Sequence, residues 1–360
     1  MMNVSDKIKY VGVDDLDIDL FESQYVVPEG MSYNSYVILD EKTAVMDTVD
    51  ARKTDEWINN VKVALGGKNL DYIVCLHMEP DHAGSMMKAM ETFPTAKVVG
   101  NAKTFTYMAQ FFDVNLEGRK VEVKDGESLS LGEHNLTFVC APMVHWPEVM
   151  VAYESSEKVL FAADAFGKFG AISKYDGDWA CEARRYYFNI CGKYGVQVQS
   201  LLKKAAALDI KTIAPLHGPV LKENLGYYLD LYNTWSSYGV ESEGVLVAFA
   251  SIHGNTRKAA EKIASILEKQ GAKKVVVSDL SRDDEAEVIE DAFRYGRMII
   301  AAPTYDGGLF PPMESFLSHL KSKNYQKRTV GIIENGTWAP MSGKLMKAAL
   351  ESMKEIKICD

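Results

Sequence analysis

The chain has 360 residues, of which 47% are hydrophobic and 25% charged, and its formal net charge is -10. This is the composition of ordinary globular protein, and the length is enough for two hydrophobic cores. The negative charge argues against nucleic acid as a partner, since phosphate backbones are bound by clustered cations. No apolar run approaches the roughly 18 residues of a membrane span, and the acidic N-terminus lacks a signal-peptide core, so we expect a cytoplasmic protein without membrane association.

Short strand patterns and helical patterns alternate in the first part of the chain. Strands are predicted at 36–39, 43–46, 72–76, 120–123, 128–131, 136–140, 149–153, 159–162 and 210–216. Helices are predicted at 54–64, 84–91 and 197–208. Strands in two groups with helices outside them fit a layered sandwich of helix, sheet, sheet and helix.

A dense group of polar side chains follows the predicted strand 72–76. The segment His77-Met78-Glu79-Pro80-Asp81-His82 places four metal-binding side chains within six residues. Further candidates stand at the ends of later apolar runs, namely His145, Asp164 and His217. Side chains delivered from several strand ends converge on one rim of a sheet, so we expect these residues to meet. Imidazole and carboxylate ligands together suit first-row transition metals, and seven ligands for two ions leave coordination positions open.

An alternative interpretation applies to each of these residues taken singly. A lone His or Asp after a strand is more often a turn or cap residue than a ligand. The density of the first segment favours a binuclear metal site for the whole set. His134 lies in a turn-like segment and His319 in a predicted helix, and we expect surface or packing roles for both. The five cysteines are scattered without a Cys-x-x-Cys pair, which predicts reduced thiols.

The pattern changes near residue 240, where a polar, turn-prone segment precedes a new apolar strand. We therefore predict one domain at 1–240 and another at 245–360. In the second domain, strands at 245–250, 274–277, 298–302 and 330–334 alternate with helices at 256–270, 285–295, 313–322 and 341–353. Strict alternation predicts a parallel, doubly wound sheet with its ligand site at the carboxyl ends of the strands. The predicted fold class is thus α/β in both domains.

Three loops of the second domain carry candidate binding residues. The loop after its first strand offers hydroxyl and amide side chains and backbone N–H groups at a helix N-terminus, which favours a monophosphate. Neither a triphosphate P-loop nor a Gly-x-Gly-x-x-Gly dinucleotide motif is present. An alternative is that these residues only cap a helix and pack a core. The candidates are Ser251, His253, Gly254, Asn255 and Thr256 in the first loop, Pro303, Thr304, Tyr305, Asp306 and Gly307 in the second, and Asn335, Gly336 and Trp338 in the third.

These residues resemble two known families. The first segment and the later His, Asp and His resemble the metallo-β-lactamase superfamily, and Glu79 stands where its zinc hydrolases carry His. An added carboxylate favours iron over zinc. The three loops resemble those of flavodoxins, which implies FMN, with Trp338 and Tyr305 as candidates for stacking on its ring. A metallo-β-lactamase-like αββα domain followed by a flavodoxin-like domain is similar to the flavodiiron proteins, which reduce dioxygen or nitric oxide.

The flavodiiron resemblance implies a role for each matching residue. His77, Glu79 and His145 would hold one iron, Asp81, His82 and His217 the other, and Asp164 would bridge them. Tyr194 is the favoured proton donor, with Tyr25 as the alternative. The resemblance also implies FMN as the electron source, a head-to-tail homodimer or dimer of dimers with Trp146 near the junction, and a protein donor, usually rubredoxin, although some relatives use a reduced deazaflavin.

The sequence also raises one expectation about the end of the chain and two alternative functions. The flavodoxin match ends at residues 356–360, so we expect its last strand and helix to be missing. One alternative function is a zinc hydrolase with an accessory flavodoxin domain, in which metal-bound water attacks an ester or amide. Another is an FMN electron carrier on an inert scaffold. The preference for dioxygen or nitric oxide does not follow from the seven ligands.

Overall fold

The structure is a computed structural model, and it describes residues 4–359. The described chain forms two compact units. The first comprises residues up to Ala183 together with Val196–Leu229, and the second comprises Arg184–Gly195 together with the residues from Asp230 onward. The sequence-based domain limits, 1–240 and 245–360, stay a prediction about independently folding domains.

Short strands build the first unit. In chain order they are β1 (Ile8–Tyr10), β2 (Val13–Asp15), β3 (Leu20–Phe21), β4 (Tyr25–Val26), β5 (Met31–Tyr33), β6 (Tyr36–Ile38), β7 (Ala44–Met46), β8 (Tyr72–Val74), β9 (Lys97–Gly100), β10 (Lys120–Glu122), β11 (Ser128–Ser130), β12 (Asn135–Cys140), β13 (Met150–Glu154), β14 (Val159–Phe161) and β15 (Thr212–Ala214). One sheet has the order β1-β6-β7-β8-β9-β10 and another the order β11-β12-β13-β14-β15. Tyr36 on β6 packs against Phe161 on β14, with ring centroids 5.5 Å apart, so the two sheets bury their facing sides together.

The α-helices up to residue 236 are α1 (Thr54–Leu65), α2 (Pro80–Ala83), α3 (Met86–Thr92), α4 (Ala102–Phe111), α5 (Ala180–Tyr186), α6 (Gly195–Ala205) and α7 (Leu225–Ser236). Helix α1 buries Trp57, Ile58, Val61 and Leu65, whose spacing places them on one face. It ends at Gly66, where φ is 58°, a conformation that glycine adopts without strain. Among the described residues, no helix has the length and apolar character needed to cross a membrane.

The second unit is a doubly wound parallel sheet, as its alternating pattern predicts. Its elements are β16 (Ser242–Phe249), α8 (Asn255–Lys269), β17 (Val275–Asp279), α9 (Glu285–Arg294), β18 (Tyr295–Tyr305), β19 (Gly308–Leu309), α10 (Pro311–Ser322), β20 (Gln326–Asn335), α11 (Ser342–Glu351) and β21 (Lys354–Ile358). The strand order is β17-β16-β18-β20-β21, and β19 pairs antiparallel with β18. Val247 and Phe249 pack with Ala260 and Ala264 of α8 in its core.

The expectation that the last flavodoxin strand is missing was wrong. Strand β21 pairs in parallel with β20, with Gln326 opposite Lys354 and Val330 opposite Ile358. The charged, exposed residues of this strand alternate with half-buried isoleucines, which is the pattern of an edge strand covered on one face. The sequence signal was weak because only Ile356 and Ile358 are apolar in the paired segment.

A segment far upstream in the sequence packs into the second unit. Phe188 stacks on Phe293 with ring centroids 4.2 Å apart, and the Asn189 side chain donates a hydrogen bond to the carbonyl of Ala286. Arg184 forms a two-pronged ion pair with Glu241, at 2.7 and 2.8 Å, inside the same unit. The second unit therefore draws part of its core from residues 184–195.

Candidate metal centre and flavin site

The sequence-predicted metal ligands follow strands of both sheets in the first unit. His77 comes three residues after β8, and the short helix α2 then carries Asp81 and His82. His145, Asp164 and His217 follow β12, β14 and β15. Strands β14 and β15 are parallel, and β12 and β14 run in the same direction on either side of β13, so their carboxyl ends meet at one edge. The structure brings all seven residues together at that edge.

One group of candidate ligands surrounds Glu79. Its Oε2 lies 3.1 Å from His77 Nε2 and 2.9 Å from His145 Nε2. Asp164 Oδ2 lies 3.3 and 3.1 Å from the same two ring nitrogens. The four ligand atoms fall within 4.8 Å of one another, which is close enough to hold a single ion.

A second group lies on the other side of Asp164. His82 Nε2 is 3.3 Å from Asp81 Oδ2 and 3.0 Å from Asp164 Oδ1. His217 Nε2 is 3.2 Å from Asp81 Oδ2 and 3.8 Å from Asp164 Oδ1. The two oxygens of Asp164 therefore face different groups, and this is the arrangement of a carboxylate that bridges two ions.

Outer residues fix the orientation of two of the histidine rings. Glu148 Oε1 lies 2.7 Å from His77 Nδ1 and also accepts a hydrogen bond from the backbone N–H of Met78. The carbonyl oxygen of Ser32 lies 2.7 Å from His217 Nδ1. Contacts at Nδ1 leave Nε2 of each ring directed at the group, as in other histidine metal sites. Asp47 Oδ1 accepts the backbone N–H groups of Leu76 and His77 and so holds the chain at the start of the motif.

Buried polar atoms test whether these residues fit a pair of metal ions. Within residues 4–359, both carboxylate oxygens of Asp81 and of Asp164 and both ring nitrogens of His82 are buried and make no hydrogen bond. Leaving such groups unsatisfied costs about 1–3 kcal/mol each, and more when they are charged. Metal coordination removes this cost. The residues therefore fit two ions, and the mixture of imidazoles and carboxylates suits iron.

Electrostatics favour the ionised form of the Asp164 carboxyl group. Burial alone would raise the pKa of the Asp164 carboxyl, but the His82 and His77 imidazoles hold it well below its usual range. Burial also opposes the charged form of His145, yet the adjacent carboxylates of Asp164 and Glu79 raise its pKa to about 9. The side chains of this site thus compensate one another's charge.

A cavity of about 320 Å³ adjoins the metal-ligand residues. Glu79, Pro80 and Asp81 line it, together with Glu22 and Tyr33. Burial, followed by the charge of Glu79, raises the pKa of Glu22 to about 7. The volume exceeds the roughly 150 Å³ of a cavity that holds benzene, so small molecules have room beside the candidate ligands.

The structure places the other predicted residues as follows. Trp146 contacts the edge of the His77 ring, with centroids 5.4 Å apart. Tyr25 is buried against Phe169 in the first unit. Tyr194 lies in a short 3-10 turn of the second unit and is half-buried. The role of Tyr194 as proton donor stays a prediction.

The three predicted flavin loops meet in the second unit around a cavity of about 340 Å³. Its lining comprises Ser251, Ile252, His253, Asn255, Thr256, Pro303, Thr304, Tyr305, Asp306, Asn335, Gly336, Thr337 and Trp338. Gly254 and Gly307 lie in the same loops with φ of 83° and 72°, where a side chain would be strained. Gly254 caps the N-terminus of α8, so that helix directs free N–H groups toward the first loop.

Exposed aromatic rings at this cavity fit a flavin. Trp338 is 68% exposed and Tyr305 is 44% exposed, which is unusual for rings of this size. A planar ring system placed between the loops would cover them. The Thr256 hydroxyl accepts a hydrogen bond from the Asn335 amide at 3.1 Å, which links the first loop to the third.

Sequence reasoning missed several residues of these sites. Glu148 stands three residues after the predicted ligand His145, and its spacing alone did not distinguish it from a surface carboxylate. Asp47 and Ser32 act through hydrogen bonds to residues that lie far from them in the sequence. Ile252 and Thr337 belong to the predicted flavin loops, so the positions of these loops in the sequence could have identified both residues.

Comparisons with known proteins agree with this geometry. Residues 31–218 match the model of the ODP family beta lactamase, and residues 246–357 match a flavodoxin domain. The nitric oxide reductase of Moorella thermoacetica is 30% identical over 98% of this chain and 90% of that protein. The rubredoxin oxygen:oxidoreductase of Desulfovibrio gigas superposes with a TM-score of 0.91 at 26% identity, covering 99% and 90% of the two chains. The flavodiiron protein of Giardia intestinalis shares the fold, with a TM-score of 0.92 at 24% identity over 99% and 91%.

The fold and the two sites define an oxidoreductase that joins a β-lactamase-like metal domain to a flavodoxin domain. The chain belongs to the flavodiiron proteins. The predicted fold class and the predicted cofactors, two irons and FMN, are thereby confirmed. The zinc hydrolase and the inert electron carrier find no support in these matches.

Proposed function

We propose that this chain reduces dioxygen to water, nitric oxide to nitrous oxide, or both, with electrons delivered through FMN. One structural observation carries the proposal: the two oxygens of Asp164 face separate groups of histidines and carboxylates, with Glu79 in one group. The names of the matched proteins from Moorella thermoacetica and Desulfovibrio gigas support the same chemistry. The two names differ in the gas, so the preference of this chain is open to experiment.

When bound, two ferrous ions supply open coordination positions, and together with reduced FMN they supply enough electrons to take dioxygen to water. The chain's own residues provide the frame for this chemistry. His77, Glu79 and His145 would hold one ion, Asp81, His82 and His217 the other, and Asp164 both. Glu148 and the Ser32 carbonyl hold two of the rings in place.

The second unit would hold FMN between its three loops. The loop from Ser251 to Thr256 would receive the phosphate at the N-terminus of α8, where the helix dipole favours negative charge. Trp338 and Tyr305, which line the cavity between these loops, would pack on the ring. Tyr194 remains our proposed proton donor, and a Tyr194→Phe variant with an unchanged turnover and pH profile would refute that role.

The proposal extends to partners and location. We propose rubredoxin as the electron donor, a head-to-tail homodimer or dimer of dimers with Trp146 near the junction, and a cytoplasmic location. The name of the Desulfovibrio gigas protein supports the donor. A solution mass equal to one chain, with full activity, would contradict the dimer.

Anaerobic assays test the function directly. Purified protein is mixed with chemically reduced rubredoxin and either dioxygen or nitric oxide, and rubredoxin oxidation and nitrous oxide are measured. We expect turnover with at least one gas and its loss in His82→Asn. Lack of turnover with either gas in protein that contains iron and FMN would refute the proposal, as would unchanged turnover in His82→Asn.

A further inference from the structure

A second cavity of the first unit contains none of the candidate metal ligands. It has a volume of about 360 Å³. Its walls are the loop between β4 and β5, the segment 168–171 and the segment that leads into α5. Gas reduction, as proposed above, assigns no role to this cavity.

A buried lysine faces the cavity. Lys168 is only 7% exposed, and within residues 4–359 its ammonium group makes no hydrogen bond and no ion pair. Its Nζ lies over the Tyr175 ring, 4.9 Å from the centroid, and its stem packs against Gly218. Burial lowers the pKa of the Lys168 amine, which nearby carboxylates only partly oppose. A buried ammonium without an acceptor is costly, so the position of Lys168 calls for an anionic partner.

The Lys168 ammonium group lies next to Gly170. A methyl group placed on Gly170 would lie 3.8 Å from Lys168 Nζ and 3.8 Å from Glu29 Cβ. Lys168 Nζ and the Glu29 side chain therefore both lie next to Gly170, and all three residues line the cavity. The ammonium group is therefore at the cavity wall and within reach of a ligand.

Carboxylates form much of the remaining wall. Glu29, Asp176, Asp178 and Glu182 line the cavity, and the cations that line it are Lys168 and the exposed Lys174. A simple anion would gain the Lys168 contact but would be repelled by the carboxylates. A simple cation would gain the carboxylates but would leave the Lys168 ammonium without an acceptor. A molecule with both charges satisfies both parts of the wall.

We propose that this cavity binds a free α-amino acid, with its carboxylate on Lys168 Nζ and its ammonium group among Asp176, Asp178 and Glu182. The volume is compatible with this class, since cavities of about 150 Å³ hold a benzene ring. More carboxylates than ammonium groups line this cavity, so basic amino acids are the first to examine.

Isothermal titration calorimetry on the protein loaded with iron and FMN tests the proposal. The probes are the standard amino acids at up to millimolar concentrations, with L-arginine compared with agmatine, which lacks the carboxylate, and with 5-guanidinopentanoate, which lacks the amino group. We expect at least one amino acid to bind, and its two truncated analogues to bind at least about tenfold more weakly. Absence of binding by every amino acid would overturn the proposal, and so would equal binding of an analogue that lacks either charged group.

Two matched variants separate binding from stability. Lys168→Met keeps a side chain about as long as the aliphatic stem of lysine but removes the charge, and we expect it to weaken amino acid binding at least about tenfold. Its thermal midpoint without ligand should equal or exceed that of the unaltered protein, because an unpaired buried charge is removed. Lys203→Met, the control, alters an exposed lysine that does not line the cavity, and it should bind within about twofold of the unaltered protein. A lowered midpoint in Lys168→Met would instead assign Lys168 a structural role and overturn the proposal.

Discussion

Glu148 lies directly behind His77, with its Oε1 2.7 Å from His77 Nδ1 and both side chains fully buried. Burial opposes the ionised form of Glu148, but the hydrogen bond from His77 and the backbone N–H of Met78 hold its pKa below the usual range. A carboxylate in this position fixes the ring and makes Nε2 a stronger ligand. The pair therefore connects the metal-ligand group to the core of the first unit.

We predict that Glu148→Gln weakens iron binding by about 10–100-fold, since an amide is a weaker acceptor for the imidazole N–H. The measurement is iron retained per chain during competition with a chelator. Glu91→Gln is the control, because Glu91 is exposed and its contact with Lys88 lies on the surface. Equal iron retention in both variants would show that Glu148 does not support the metal site.

Trp338 offers a test of the flavin site. The ring is 68% exposed, so its removal should not destabilise the fold, whereas the loss of stacking should weaken FMN binding by about three- to tenfold. Fluorescence titration of the flavin-free protein with FMN measures this change in Trp338→Ala. Tyr227→Ala alters another exposed ring, outside the flavin loops, and should leave the affinity unchanged. If Trp338→Ala binds FMN as tightly as the unaltered protein, Trp338 does not stack on the ring.

Arg184 supports the second unit from a distant part of the sequence. Its guanidinium pairs with Glu241 at 2.7 and 2.8 Å and with Glu290 at 3.3 Å, and the Arg184 side chain is 4% exposed. Arg184→Met leaves two carboxylates buried without this cation. We predict a loss of about 3–5 kcal/mol in the free energy of unfolding, measured by urea titration.

Arg297→Met provides the comparison for Arg184. Arg297 is exposed on β18, and its replacement should change the free energy of unfolding by no more than about 0.5 kcal/mol. Similar values for the two variants would mean that the buried ion pairs of Arg184 contribute nothing beyond surface contacts.

His134 predicts a pH dependence of stability. It is 2% exposed, and its ring nitrogens lie 2.8 Å from Asp40 Oδ2 and 3.3 Å from Glu157 Oε1. Burial opposes its charged form, but these hydrogen bonds and the nearby Glu154 raise its pKa above the ordinary value of 6.5. Because the folded pKa is raised, the stabilisation is fully present below the ordinary pKa and is lost as the pH rises through the folded value.

The corresponding measurement is the difference in thermal midpoint between the unaltered protein and His134→Gln across a pH series. We expect this difference to be largest below pH 6.5 and to shrink as the pH increases. A difference that grows with pH would have the opposite sign and would rule out a charged His134 in the folded protein.

Sequence patterns predicted the parts of this molecule that rest on local spacing. Six residues from His77 to His82 carry four ligand side chains, and the alternation after residue 245 predicts a doubly wound sheet. Residues that act through distant contacts were not predictable in this way. Glu148 reaches His77 from 71 positions away, and Arg184 reaches Glu241 across 57 positions.

Two further differences have physical explanations. The edge strand β21 was missed because only one of its faces is half-buried, so its apolar signal is short. Strands β1 to β5 were not predicted because each has only two or three residues and none lies within an apolar run of four or more residues. Pairing partners, rather than local propensity, hold such strands in place.

Anomalous X-ray diffraction at the iron absorption edge tests the central claim most directly. Crystals of protein produced with iron should show two peaks of similar height, one on each side of the Asp164 carboxylate, with His77, Glu79 and His145 around one peak and Asp81, His82 and His217 around the other. A single peak, or two peaks that appear at the zinc edge and not at the iron edge, would contradict the account.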